Sequence, residues 1–389
     1  MDSAKNFFRL QLPPYSRTAI SLPLKRTVHL IAARCQNACF HGPVPESGTS
    51  LSATFALDAC PCHLHSLQSP LIDVPPSATY NCTVAVSRAT WRYFRSYSAI
   101  AISRYLRSTY IHAFVGGDKT KLIERLDKLY HESGYLDRPA QQLESFSARH
   151  QPAVYKNTPN AEKVLRAEGR FHSERPMRVG PERNGEQRQF HHALMICDIL
   201  ASIELATKAT IRLRYIGCDE ILAKAPGATR NASAPLQFPV SIAHVFSWGR
   251  RERVDLRLAP DGLFGLEYGS AGAKSYRFFA LEADRATILV SRKNLRQSSY
   301  LRKILGYREI LARKLYKTHL GIPNLIVPAV ASSEPHMHNI VRLAGEICED
   351  TLAKTFLFKT IPRSSEPVQD MLSAPWHRPR RDPCDIGTP

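Results

Sequence analysis

Hydrophobic positions are patterned along only part of this chain. Residues 1 to about 88 mix Ser, Pro, Cys and scattered apolar residues, with Pro-Pro at 13–14 and 75–76, and hold no sustained helical or strand period. They read as an irregular or disordered leader, or as an over-long translated start rather than evolved structure; N-terminal sequencing of the native protein separates the two. Period returns near residue 100. Ser108 is placed to cap a short helix, Thr109 to Phe114, which stops at Gly116-Gly117, a pair suited to positive φ. Asp118 caps a second helix, about Lys119 to Glu132, with Leu122, Leu126 and Leu129 on one face. Strand signals at GYLDRP, stopped by Pro139, and AVYKN (153–157) precede a helical segment from about Pro159 to Glu168. Helix, turn, helix and hairpin together predict a winged helix-turn-helix over residues 97–168.

From about Gln189 the pattern becomes that of an α/β domain, expected over 189–352. FHHALMICDILASIELA reads as a buried helix carrying Asp198 and Glu204. RVDLRL (253–258), GLFGLEY (262–268) and YRFFALEA (276–283) read as three consecutive strands, followed by a long helix from about Arg292 to Lys317. NLIVPAV (324–330) has the β-branched, apolar character of an interior strand, and His336 to Cys348 closes as a helix. The fold class expected is therefore α+β or α/β: a winged helix-turn-helix followed by an αβββαβ domain with helices on the faces of a mixed sheet. Residues 362–389, rich in Pro and Arg, read as a flexible basic tail.

Charge then narrows the partner class. The chain of 389 residues carries a formal net charge of +19, a field that attracts polyanions, so DNA is the leading partner. No uninterrupted apolar run reaches the ~18 residues of a spanning helix, and no membrane partner is expected. Nine cysteines without framework spacing, and no secretory core at the start, fit a reducing cytoplasm. Cys35, Cys39, Cys60 and Cys62 with His63 and His65, the last four crowded as C-x-C-H-x-H rather than as C-x2-C pairs, make a poor zinc set.

An exposed helix fits the major groove, and a hairpin reaches the neighbouring backbone. Lys119, Lys121, Arg125 and Lys128 fall on or near one side of the second helix, away from its leucines, and Arg138 in the wing adds a further phosphate ligand. Glu124 and Asp127 dilute that face, and any amphipathic helix has a solvated charged side. In the second domain, Arg285 to Lys317 holds ten Lys or Arg and one acid, Glu309, a net of +9. Such a run tracks a phosphate backbone without reading bases. Tyr300, Tyr307 and Tyr316 interleave with it and fit packing on the sheet at least as well as base stacking.

Three acids sit where the sheet would gather them: Glu204 on the helix, Asp261 at the head of a strand, and Glu282 within the next, with Asp284 two residues on. Converging carboxylates hold Mg²⁺, which polarises a phosphodiester and activates water, with Asp261 and Glu282 as the metal ligands. Each acid alone is more often a strand-end or surface residue. Glu282 and Asp284 lie in an otherwise apolar strand, where an unpaired charge is costly.

The phrases PDGLF, FFALEADRAT, FHHALMICDILASIEL and RYLRSTYIHAFVGGDKTKLIERLDKLYHESGYLDRPAQQ resemble the plasmid replication-relaxation family over roughly residues 100–350. The resemblance implies a role in plasmid replication or DNA relaxation, with replication or mobilisation proteins as further partners, and a second domain similar to the PD-(D/E)xK nuclease fold. It places Asp261 at the acid of the PD element and Glu282 at the acid of the (D/E)xK element. Asp284 then falls where the nuclease lysine belongs, which removes a cation from the transition state. Lys303, on the following helix, is the candidate substitute. The sequence leaves three readings open: a DNA-binding protein that keeps the nuclease-like fold as a platform, an Mg²⁺-dependent endonuclease using Asp261 and Glu282, and a winged-helix transcriptional regulator.

Weaker features fill in the rest. His191 and His192 suit capping or core roles better than metal ligation, Cys197 and Cys218 suit core positions, and GSAGAK (269–274) lacks the P-loop form.

Overall fold

The structure, a computed structural model, describes residues 105–143, 150–167, 187–269, 274–362, 365–373 and 375–388. The expected leader at 1–88, the crowded cysteines, and residues 97–104, 144–149 and 168 of the expected winged helix lie outside the described residues. The described part is a mixed α+β protein.

Residues 105–167 form one small sheet with helices around it. Strand β1 (Leu106–Arg107) runs into helix α1 (Ser108–Val115); α2 (Lys119–His131) follows, then β2 (Leu136–Asp137), β3 (Val154–Asn157) and α3 (Pro159–Ala167). β3 lies between β1 and β2, antiparallel to both, with Leu106 opposite Tyr155 and Leu136 opposite Asn157. Helix α1 begins one residue earlier than the sequence suggests. Arg107 is its N-cap, without a side-chain hydrogen bond, so Ser108 does not cap it. Asp118 does cap α2, accepting from the Lys121 amide at 2.9 Å. Gly116 and Gly117 take φ of 70° and 88°, the left-handed region that lets α1 stop and the chain turn. Leu122, Leu126 and Leu129 are buried with Leu106, Tyr110, Ile111 and Leu165, which is why α2 presents its lysines outward.

The rest is built on helix α4 (Gln187–Ala209), the short helices α5 (Cys218–Ala223) and α6 (Gly227–Arg230), and a seven-stranded sheet. Its strands are β4 (Leu213–Ile216), β7 (Gly262–Tyr268), β8 (Ser275–Asp284), β9 (Val327–Ala331), β10 (Phe356–Thr360), β11 (Trp376–Arg378) and β12 (Arg381–Cys384). They lie in the order β12-β11-β10-β9-β8-β7-β4. β8, β9 and β10 are parallel; the remaining pairs are antiparallel. Side chains alternate between the faces. Phe264, Leu266, Phe279 and Leu281 pack with Ile196, Ile199 and Ile203 of α4. Leu263, Ala280, Val327 and Ala329 face helices α7 (Tyr300–Ala312) and α9 (Glu334–Ile347) instead. By length and composition α4 is apolar enough to cross a membrane. It is apolar on nearly all sides because the sheet covers one side and residues 105–167 cover another: Tyr110 OH lies 3.2 Å from Ser202 Oγ, and Arg107 Nε donates to Asp198 at 3.0 Å.

Besides the cap of α1, three expectations need correction. RVDLRL belongs to β6 (Arg251–Leu258), which pairs only with β5 (Phe238–Val245) in a separate two-stranded ribbon between β4 and β7. The strand that precedes β7 in the sheet is β4. A period of two marks both RVDLRL and a sheet strand and cannot say which partner each finds. The ribbon seats Phe238, Val240, Ile242, Leu256 and Leu258 over α7, close enough at Gly306 that a Cβ there would sit 2.9 Å from Leu258 Cδ2. The helix expected over 292–317 is shorter. It starts at Tyr300, capped by the Ser299 hydroxyl, and breaks at Lys314, whose φ of 53° separates α7 from α8 (Leu315–Leu320). Finally, 362–389 is not simply a flexible tail. β11 and β12 extend the sheet, and Trp376 is fully buried with Met371, Leu372 and Ile386, its indole N–H donating to the Met371 carbonyl at 3.1 Å.

Candidate functional site

The alternation along β8 decides where its acids go. Leu281 and Ala283 face α4, so Glu282 and Asp284 must face α7 and α9, beneath a covered surface and nearly without solvent. Each is therefore paired. On α7, Lys303 and Tyr307 stand one turn apart, the spacing that puts two side chains on one helix face. The Lys303 ammonium and the Tyr307 hydroxyl both donate to the Glu282 carboxylate. Asp261, just before β7, lies at the edge of this group. Its Oδ2 accepts the Ala283 amide at 3.0 Å and lies 3.7 Å from Lys303 Nζ. Its Oδ1 is 3.2 Å from His192 Nε2, which reaches it from α4.

Two carboxylates so close are held at opposite ends of their range. Burial raises the Asp261 carboxyl, but Lys303, His192 and the Ala283 amide outweigh it and hold it at about 2. Burial pushes Glu282 up to about 7, and the neighbouring Asp261 charge adds to that, against the pull of Lys303. Burial lowers the Lys303 ammonium, yet the two acids outweigh it and its value rises. Asp284 makes a pair of its own: Oδ2 lies 2.6 Å from His336 Nε2 on α9, and Oδ1 accepts the Ala286 amide at 2.9 Å. Tyr300 stands between the two pairs, with Lys303 Nζ 5.8 Å from its ring centre and the His336 ring edge-on at 6.4 Å. Its buried hydroxyl has no hydrogen-bond partner among the described residues.

The expected acids are thus gathered only in part. Asp261, Glu282 and Lys303 come together, and Asp284 lies beside them with His336. Glu204 does not join them. It pairs with Lys208 at 2.6 Å, one turn along α4. Since His192 is the α4 residue at Asp261, a residue twelve positions later is about 18 Å further along the axis. Tyr307 and His336 are members to which sequence reasoning gave no site role, and His192, expected in a capping or core role, instead reaches Asp261. Only the Lys303–Tyr307 spacing carried a signal for one of them.

Mg²⁺ was expected on Asp261 and Glu282. Every oxygen of that pair already accepts from a protein donor, and Lys303 supplies the positive charge between them. The orphaned atom nearby is a phenol hydroxyl, a poor ligand for a hard cation. Among the described residues no group of three His, Cys, Asp or Glu side chains is placed to hold a metal. The arrangement does not fit a divalent ion.

Of the expected DNA ligands, Lys119, Lys121 and Lys128 are exposed on α2, and Arg125 is half-buried. Arg138 is also half-buried and lies over the Tyr130 and Tyr155 rings, 5.9 and 5.8 Å from their centres.

Fold and site together define a mixed α+β protein whose sheet carries a buried carboxylate–lysine cluster between two helices. The replication-relaxation family model matches residues 98–326, more than half of the chain, and the chain belongs to that family. The match spans His192, Asp261, Glu282, Lys303 and Tyr307 and ends before His336. No curated protein and no solved structure matches the chain.

Proposed function

We propose that this replication-relaxation protein binds DNA through residues 105–167, acting as a winged helix, and that its larger domain serves as a nuclease-like platform rather than a cutting one. The observation that carries the reading is on α2: Lys119, Lys121 and Lys128 are exposed while Leu122, Leu126 and Leu129 are buried. A helix so divided offers cations to a groove without giving up its packing. The β2–β3 hairpin follows it in the place a wing takes. The net charge of +19 draws DNA to either domain. Replication or mobilisation proteins are the further partners of such a complex. The test is duplex binding by the full chain and by a Lys119→Ala, Lys121→Ala, Lys128→Ala variant. The variant loses affinity alike for every sequence; unchanged affinity overturns the assignment of α2.

Phosphodiester cleavage is the second reading, favoured by the splitting of Asp261 and Glu282 to opposite sides of their ordinary range, the usual arrangement of an acid–base pair. Supercoiled plasmid incubated with the protein in Mg²⁺, Mn²⁺ or chelator separates the two. The platform reading expects intact plasmid throughout. Nicking that Asp261→Ala and Glu282→Ala abolish establishes the enzyme.

A further inference from the structure

Among the described residues, the β5–β6 ribbon pairs with no strand of the seven-stranded sheet and contributes no side chain to the carboxylate cluster. Its inward face, Phe238, Val240 and Ile242 against Leu258, Leu256 and Val254, seats it on α7. Its outward face is divided by strand. On β6 it carries Arg251, Arg253 and Arg257, all exposed, with one acid, Asp255. Opposite those arginines on β5 stand Val245, Ala243 and Pro239, too small to cover them. Alternate strand positions recur about every 7 Å, so the arginines form an exposed row, with Arg253 steadied by its Nε donating to Ser241 Oγ at 2.8 Å.

The tip is aromatic and held. Phe246 N donates to the Arg250 carbonyl at 2.9 Å and Gly249 N to the Phe246 carbonyl at 2.8 Å; Gly249 has φ of 83°. Trp248 stacks on Phe246, ring centres 4.5 Å apart and 17° from parallel, and the His244 ring abuts Phe246 edge-on at 4.8 Å. Phe246 is buried, whereas Trp248 is 56% exposed. One face of the indole is fixed by the protein and the rest stands in solvent, beside Arg250 and at the head of the arginine row.

We propose that this ribbon binds single-stranded DNA, with an unpaired base stacked on Trp248 and the backbone running along Arg251, Arg253 and Arg257. A fixed aromatic face beside a row of cations is the combination that single strands recognise without sequence preference. Bases within a duplex already have both faces occupied by neighbours, which selects the single strand over the double one. The inference rests on the DNA-binding reading but on a different surface from α2.

The test compares the full-length chain with Trp248→Ala, Trp248→Phe and an Arg251→Ala, Arg253→Ala, Arg257→Ala variant, by fluorescence anisotropy on a labelled oligonucleotide, single-stranded or annealed. Circular dichroism checks that each is folded. Trp248→Ala weakens single-strand binding by about 5- to 150-fold, Trp248→Phe retains most of it, and duplex binding changes little. The triple arginine variant lowers the log–log salt slope on single strands by about 2. Single-strand binding that Trp248→Ala leaves unchanged overturns the proposal while α2 stands. A parent chain that binds neither form overturns the DNA-binding reading as well.

Discussion

Lys303 of α7 places its ammonium 3.7 Å from Asp261 Oδ2 while donating to Glu282, so one cation closes a pair of acids, Glu282 buried and Asp261 half-buried, that come from different parts of the sheet. The strand position where a nuclease lysine is expected holds Asp284, and Asp284 is itself bound to His336. The cluster thus has its positive charge from a helix rather than from the strand.

If that cation holds the cluster together, removing it strands the buried Glu282 carboxyl and the half-buried Asp261 carboxyl. Lys303→Met is expected to destabilise the fold by about 3–5 kcal/mol, the usual result of breaking one partner of a buried pair. Adding Glu282→Gln to that variant restores much of the loss. Urea unfolding of the single and double variants measures both; a Lys303→Met cost below ~1 kcal/mol contradicts the pairing.

Glu282 also predicts a pH slope. Its folded value, about 7, lies above its ordinary carboxyl value, so the folded state binds the proton more tightly. Its contribution to stability is full at low pH and is lost as pH rises through about 7. Asp198, raised by burial to about 6, acts in the same direction. Asp261, held at about 2, acts oppositely: its contribution is full near neutrality and lost as pH falls towards 2. Unfolding free energy measured from pH 4.5 to 8 is expected to fall less steeply in Glu282→Gln than in the parent. Parallel curves contradict the placement of Glu282.

The C-terminal strands make a prediction that a flexible tail does not. Trp376 is fully buried in the sheet's α4 face, so Trp376→Ala is expected to cost about 3–5 kcal/mol. The denaturation midpoint measures it, and an unchanged midpoint restores the tail.

Gly265 lies between Ile216 on β4 and Phe278 on β8, directly paired with both. A Cβ there would meet Phe278 Cδ1 at 3.0 Å and Ile216 Cβ at 3.2 Å. Gly265→Val is expected to destabilise by about 1–3 kcal/mol through overpacking, read from thermal unfolding; a neutral result means the strands move apart more easily than their register implies.

Much of this was legible in the sequence because period and chemistry coincide there. The leucine stripe of α2 and the apolar run of β9 announce both element and burial. Glu282 and Asp284 were legible as groups in need of partners because they are charges in an apolar strand, whereas Lys303 entered only through the family resemblance, and Glu204, grouped with them by its place on the helix, lies elsewhere. What failed was non-local. RVDLRL has a strand's period, but its partner, Phe238–Val245, is set by the ribbon's turn. β4 is only four residues long and mostly half-exposed, so it leaves little pattern. Trp376 sits among prolines and arginines, and only its burial in the sheet shows that the segment is structured. His192 was read as a capping or core residue and His336 was not singled out, because each is brought to the site by a helix remote in sequence from the acid it meets.

DNA binding through exposed cations carries a signature of its own, a steep dependence on salt. Gel-shift titrations of the full chain on duplex DNA from 50 to 200 mM salt are expected to give a linear log–log loss with a slope of about −3 or steeper, as at least three lysines displace counterions. Lys121→Ala should lower that slope by about 1. A flat response, or no binding at the lowest salt, contradicts the account.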